Sequence, residues 1–381
     1  MSKWIAVMSV VSALLMVACG SKHQTSECTE LNLKASAKGD VAALIATGEA
    51  AWKERKDPVQ LKKAVDAWAK AIAADPKRAD LRVKLARARY LYADAHLRSQ
   101  ETDEAEAEMM NQFSQGVTDA ETALRQLSSP YHEGRCKQEV GVADAIKKVD
   151  KAAVPAMYWY ATNLGKWGLE KGLFTILKYK DDIKAMQDRI IELQPGYFYH
   201  APYRYLGVYH IKVPPLVGAP EKSKPNFAKA VKESPEYLET KVLYAGYYAT
   251  KVKNRQLFRE LLKDVADYDL AATPELEAEN IIGKRRAATL LEDIDDYFGE
   301  PDEAQQALDK KADAARAAAK AAVKAAADKA VADKAAAEKA AADKAAAEKV
   351  AADKAAEAAA AAAAESKSKS KSKRRRKRRK K

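Results

Sequence analysis

The chain has 381 residues, 48% of them hydrophobic and 32% charged, with a net charge of +13 at pH 7. That length supports one large core or an extended solenoid. Five histidines, at 23, 96, 132, 200 and 210, are scattered without metal-ligand spacing, and there is no Gly-rich phosphate loop or nucleophile elbow; no enzyme, metal site or cofactor is expected.

The first element is "MSKWIAVMSVVSALLMVACGSK", with Lys3, an apolar run from Trp4 to Val17, and small residues before Cys19. This is the layout of a secretory signal peptide, expected over residues 1–18, and the run is shorter than the roughly 20 residues that span a bilayer. Its end, "MVAC", resembles the lipobox of bacterial lipoproteins, which implies acylation of Cys19. The alternative is an ordinary signal peptide that contains a cysteine. Gly20 stands where an inner-membrane retention signal usually has Asp, so the expected address is the periplasmic face of the outer membrane, with residues 19–39 as a lipid-anchored linker. With Cys19 acylated, Cys28 and Cys136 remain as an even pair in an oxidising compartment. A disulfide between them is expected, closing a loop of about one hundred residues and worth ~4 kcal/mol in the chain-entropy view; two unpaired buried thiols are the alternative.

From 40 to 300 helical periodicity dominates, and no clean strand alternation bounded by hairpin turns occurs. "LKKAVDAWAKAIAADP" sets Ala64, Trp68, Ala71 and Pro76 at steps of four, three and five, the second-helix pattern of a tetratricopeptide repeat. "SKPNFAKAVKESP" repeats it with Ser223, Phe227, Ala230 and Pro235. "YRYLGVYH" gives the first-helix pattern with Tyr203, Leu206, Gly207 and His210, and Gly116, Ala120 and Ala123 form a weaker copy. The small residue lets two helices approach and the bulky one fills the gap to the next pair. Roughly four such pairs, each burying its apolar face only against neighbours, predict an all-α tetratricopeptide-like solenoid with a concave face.

Within this region "AMYWYATNLGKWG" places Trp159, Asn163 and Trp167 on one helical face, a polar amide between two indoles. "PGYFYHAPYRYLGVY" follows with Tyr197, Tyr199, Tyr203, Tyr205 and Tyr209. Tyrosine joins apolar area to a hydroxyl tip, which suits a groove for an amphiphile or peptide. Tyr158, Trp159, Asn163, Trp167 and Tyr203 are the candidate ligand or partner contacts; packing between repeats is the competing explanation. Asp181-Asp182 and Asp295-Asp296 read as solvated or capping pairs, and Arg285-Arg286 as a source of buried ion pairs or an anion contact.

Three segments, 156–168, "VPPLVGAPEKSKPNFAKAV" (213–231) and "AENIIGKRRAATLLEDIDDYF" (278–298), together resemble the TRAP transporter T-component (TatT) family of periplasmic lipoproteins. The last is the most specific, with Glu279-Asn280, Arg285-Arg286, Leu290-Leu291 and Asp295-Asp296 before Phe298. The chain has Gly218-Ala219 where the family usually has Gly-Gly. The resemblance implies a non-enzymatic binding or scaffold protein that works with a TRAP-type periplasmic solute-binding protein in transport of an organic ligand, hydrophobic ones included. The sequence is compatible with a homo-oligomer.

The chain closes with two elements outside that family pattern. Residues 301–365 repeat an acid-Lys-Ala unit, as in "DKAAAEKAAADKAAAEKVAADKAAE". Alanine's high propensity predicts one solvated helix, and Leu308, Val323, Val331 and Val350 give no sustained heptad for a coiled coil. Residues 366–381 form a polybasic tail, expected to be disordered, with twelve Lys or Arg and no acid, so everything before it sums to 13 − 12 = +1. Its densest run is Lys373, Arg374, Arg375, Arg376, Lys377, Arg378, Arg379, Lys380 and Lys381. In an exported protein nucleic acid is not the expected partner; an anionic envelope surface is. That gives a second functional reading, a structural tether whose helix carries the basic tail to such a surface.

Overall fold

A computed structural model describes residues 31, 33–212 and 219–378. Cys19 and Cys28 lie outside them, as do residues 213–218 and the last three basic residues. The described helices are α1 (Val41–Lys53), α2 (Pro58–Ala74), α3 (Ala79–Tyr92), α4 (Asp103–Leu127), α5 (Ser129–Cys136), α6 (Val142–Ile146), α7 (Val154–Glu170), α8 (Leu173–Leu193), α9 (Tyr197–Lys212), α10 (Pro220–Glu233), α11 (Glu239–Leu243), α12 (Arg255–Asp267), α13 (Glu277–Glu292), α14 (Ile294–Phe298) and α15 (Glu303–Arg378). Among the described residues there is no strand, and the fold is all-α. Contacts divide the chain into two units, Met1–Gly299 and Glu300–Lys381.

Helix starts in the first unit follow local chemistry. The Asp57 carboxylate accepts from the backbone amides of Val59 (2.7 Å) and Gln60 (3.2 Å), with Pro58 at the first position of α2 where no amide hydrogen is needed. Thr102 caps α4 and Asn254 caps α12 in the same way. The periodic small and bulky residues then bring helices together. Ala64, Trp68 and Ala71 are buried on α2, and Ala120 and Ala123 on α4. In the α9–α10 pair, a Cβ on Gly207 would lie 2.7 Å from the Phe227 ring, so only glycine permits this approach. The Ser223 hydroxyl fixes the same crossing by donating to the Gly207 carbonyl at 2.7 Å.

An open-ended stack does not describe how the unit finishes. The segment holding Glu279 and Arg286, on α13, returns to the first helices. Arg55 reaches Glu279 at 2.9 Å and Arg87 reaches it at 2.8 Å, while Lys56 pairs with Glu277 at 3.2 Å. Two helix turns further on, Arg286 donates to the Asp94 carboxylate at 2.7 Å and to its carbonyl at 2.9 Å. Asn280, 1% exposed, donates to the Glu236 carbonyl and accepts from the Leu238 amide. Individual helix pairs are legible from their spacing, and these long-range ion pairs tie the last helices of the unit to the first.

The second unit is α15, about 114 Å of helix at 1.5 Å per residue. Leu308, Val323, Val331 and Val350 are all exposed on it, as a solvated helix requires. Lys334 stands 4.0 Å from Glu338, the less favourable order for a helical ion pair, so alanine propensity carries most of the stability. The helix continues beyond residue 365 to Arg378.

Candidate binding cavity

A cavity of about 180 Å³ lies among α7, α8, α9 and the segment from Tyr237 to Tyr247. Its walls are built by helical periodicity. From α7 come Tyr158, Ala161, Thr162, Gly165, Lys166 and Leu169, and from α9 Ala201, Arg204, Tyr205, Val208, Tyr209 and Lys212. Each set steps by three, one, three, one and three, a single stripe along one helix face. Ile176, Lys180 and Gln187 of α8 add a third wall, and Tyr90 of α3, Tyr237 and Tyr247 complete it.

Two irregular backbone segments aim side chains toward this region. Ala93–Leu97 and Tyr244–Ala249 are single π-helical turns, which insert a residue and re-aim their neighbours. The first carries Asp94 and the second Tyr247. At the start of α9, Phe198, Tyr199 and His200 have φ of 45°, 58° and 55°, three successive left-handed residues that each cost about 1–2 kcal/mol. The regular helix begins after them, near Pro202. Ring packing offsets that strain. Phe198 lies 5.0 Å from Trp159 and 5.5 Å from both Tyr158 and Tyr237, Tyr199 stacks on Tyr237 at 5.3 Å, and His200 Nδ1 is 2.8 Å from the Ser234 hydroxyl.

The charge balance of the wall is one-sided. Lys166, Lys180, Arg204 and Lys212 face a single acid, Glu239, and Glu239 is already paired with Arg286 at 2.5 Å. Lys166 is matched by Asp94 at 2.7 Å and Lys180 by Asp181 at 2.6 Å. Arg204 instead donates to the Thr240 hydroxyl and the Tyr199 carbonyl, with its guanidinium 4.3 Å from the Tyr237 ring centroid; Lys212 lies 5.0 Å from the Tyr247 ring. Among the described residues neither cation has a carboxylate partner. Burial pushes the phenols of Tyr90, Tyr205 and Tyr237 up, so they remain neutral donors. Gln187 is 1% exposed and its Oε1 has no hydrogen-bond partner among the described residues, a buried acceptor on the wall.

Behind the wall sits the Asp94 network. Burial alone would raise the Asp94 carboxyl, but Arg286, Lys166 and Arg98 outweigh it and hold the group well below the usual carboxylate range. Burial likewise opposes ionisation of Glu279, and Arg87 and Arg55 reverse that and lower it. The paired arginines of the sequence thus include a half-buried ion-pair member, Arg286, whose partner Asp94 is buried.

The sequence-predicted contacts distribute unevenly. Tyr158 is on the cavity wall. Trp159, Asn163 and Trp167 are 3%, 0% and 6% exposed and pack in the core on the neighbouring face of α7. Asn163 is explained by its partners: its amide donates to the carbonyls of Ala86 at 3.2 Å and Trp159 at 2.8 Å, tying α3 to α7 beside Gly116. Tyr203 is half-buried under Lys229, 5.1 Å from its ring. Tyr205 and Tyr209, from the same aromatic run, do line the cavity; Tyr90, Tyr237, Tyr247, Arg204 and Gln187 had no sequence signal beyond residue type.

Comparison with protein-family models matches residues 58–298 to the TRAP transporter T-component. The chain belongs to that family. The matched span ends at Phe298, one residue before the first unit does, and leaves α15 outside it. Comparison with curated proteins finds no match. T-components are transporter parts associated with the periplasm and cell envelope, not a known enzyme family, and membership ties this chain to TRAP transporter partners. Among the described residues of this T-component no helix is long and apolar enough to cross a membrane.

Cys136, at the end of α5, is disulfide-bonded, and its partner lies outside the described residues.

Proposed function

We propose that this T-component is a non-enzymatic periplasmic lipoprotein, anchored in the outer membrane through Cys19, that holds an amphiphilic organic anion and exchanges it with a TRAP-type periplasmic solute-binding protein. The observation that carries the reading is the cavity wall, where six tyrosines accompany four cations and one acid, two of the cations lacking a carboxylate partner. Tyrosine rings cover an apolar body, Arg204 and Lys212 meet an acidic head, and Gln187 accepts from a hydroxyl or amide of the ligand. A Cys28–Cys136 disulfide would staple the anchored linker to α5.

The test is purification of the intact chain from native membranes, with mass spectrometry of the chain and of its organic extract. Expected are an acyl mass increment that Cys19→Ala removes, a bound organic anion, and a retained solute-binding protein. Arg204→Ala with Lys212→Ala should lower ligand retention roughly tenfold or more, the loss of a charge-assisted contact. A folded wild-type protein with an empty extract and no solute-binding protein would count against the proposal. Equal retention by the double variant would remove the anionic head from it.

A second reading, the envelope tether, rests on the tail's twelve basic residues. Each basic residue near an anionic surface contributes up to about 1 kcal/mol, reduced by salt. Truncation at Ser366 is expected to abolish salt-sensitive sedimentation with anionic vesicles and leave the melting of the first unit unchanged. Undiminished sedimentation of the truncated chain would refute the tether.

A further inference from the structure

Three of the large hydrophobic residues exposed in the first unit sit together at the turn joining α7 to α8: Leu169 (41% exposed), Leu173 (60%) and Phe174 (90%). Gly172 makes the turn at φ +103°, a conformation that L side chains rarely adopt, and a Cβ there would meet nothing within 4 Å, so the tip stands clear of the body. Single exposed apolar residues are ordinary, but an almost fully exposed phenylalanine beside an exposed leucine on a bare turn leaves a patch that water solvates poorly.

Charge surrounds this tip asymmetrically. Glu170 is paired with Arg98 at 2.8 Å, Lys166 with Asp94 and Lys180 with Asp181. Lys171 and Lys178 are exposed and, among the described residues, have no carboxylate partner; Lys178 lies 5.1 Å from the Tyr179 ring. An apolar point flanked by two cations without a carboxylate partner is complementary to a bilayer surface that is apolar below and anionic at headgroup level. A second copy of the chain would set the same lysines against each other. The apolar surface also continues inward, because Leu169 and Ile176 belong to the cavity wall.

We infer that the α7–α8 turn is a membrane-docking point: Leu173 and Phe174 enter the acyl-headgroup boundary of an anionic leaflet, Lys171 and Lys178 meet its phosphates, and the Leu169–Ile176 side of the cavity is brought against lipid. This holds whether or not the cavity carries the proposed ligand, since it requires only a bilayer.

The experiment uses the full chain carrying Phe174→Trp, with wild type as the baseline for the native indoles, and phosphatidylglycerol vesicles brominated on the acyl chains. The basic tail can bring either protein to the vesicle, but only an inserted indole meets the bromines. The expected result is a blue shift of the added emission and at least about twofold quenching over the wild-type baseline, both lost when Leu173→Ser, or Lys171→Glu with Lys178→Glu, is combined with Phe174→Trp. Melting should stay unchanged, because all four positions are exposed. An added indole that keeps solvent-exposed emission on bound vesicles overturns the inference. So does equal quenching on brominated phosphatidylcholine, which removes the charge complementarity, or a blue shift that grows with protein concentration without vesicles, which assigns the tip to a second copy.

Discussion

Asp94→Ala is expected to destabilise the first unit by about 3 kcal/mol, the cost of removing a buried carboxylate that three half-buried cations share. Asp94 is 5% exposed and its carboxylate meets Lys166 at 2.7 Å, Arg286 at 2.7 Å and Arg98 at 3.1 Å. Three cations therefore lose this carboxylate at once, from α7, from α13 and from the stretch just after its own π turn; Arg286 keeps Glu239 and Arg98 keeps Glu170, while Lys166 loses its ion pair. For a body of this size the loss corresponds to a fall in Tm of about 10 °C. The sign with pH follows from the depressed carboxyl. Its unfolded value is near ~3.9, so the stabilisation is fully present above about pH 5 and is lost as the solution is acidified toward the much lower folded value. The gap between wild type and Asp94→Ala should narrow by about 1 kcal/mol between pH 5 and pH 3. Urea unfolding of both proteins at the two pH values measures it. Matching midpoints at pH 5, or a gap that widens in acid, would show that the network does not close the fold.

That network marks where sequence reading stopped. Helix pairing was legible because its cause is local: Gly207, Ser223 and Phe227 occupy positions fixed by the helical repeat, and they meet as the spacing demands. Closure was not, since Arg55 and Glu279 are separated by 224 residues and neither side chain announces the other. The cavity was met at Tyr158 and otherwise missed by one residue of phase. The stripe of Trp159, Asn163 and Trp167 stands out by composition, but a one-residue step turns a helix by about 100°, and the wall is the neighbouring stripe of Tyr158, Thr162, Lys166 and Leu169. Only contact with α8 and α9 distinguishes the two faces. The left-handed turn at Phe198–His200 was equally hidden, because aromatic residues rarely adopt that backbone and nothing but tertiary packing holds it.

Trp159→Ala should expose the same distinction as a stability effect of about 3–5 kcal/mol, the usual result of deleting a large buried aromatic. The indole is 3% exposed, with Tyr158 at 4.8 Å, Phe198 at 5.0 Å, Tyr90 at 5.6 Å and the Arg87 guanidinium 5.9 Å from its ring. Truncation removes this packing and also one of the contacts that hold Phe198 in its left-handed conformation, so relaxation of the turn toward a normal backbone competes with collapse of the cavity. Relaxation would carry Tyr199 off Tyr237 and disturb the wall indirectly. Tyr205→Phe is the contrasting change: it keeps the ring on the wall and removes only the hydroxyl, so Tm should move by no more than about 2 °C while ligand retention changes. Melting and retention measured on both variants separate packing from recognition. A Trp159→Ala protein that melts like wild type yet retains no ligand would place the indole on the binding surface after all, and the aromatic stripe read from the sequence would be the site.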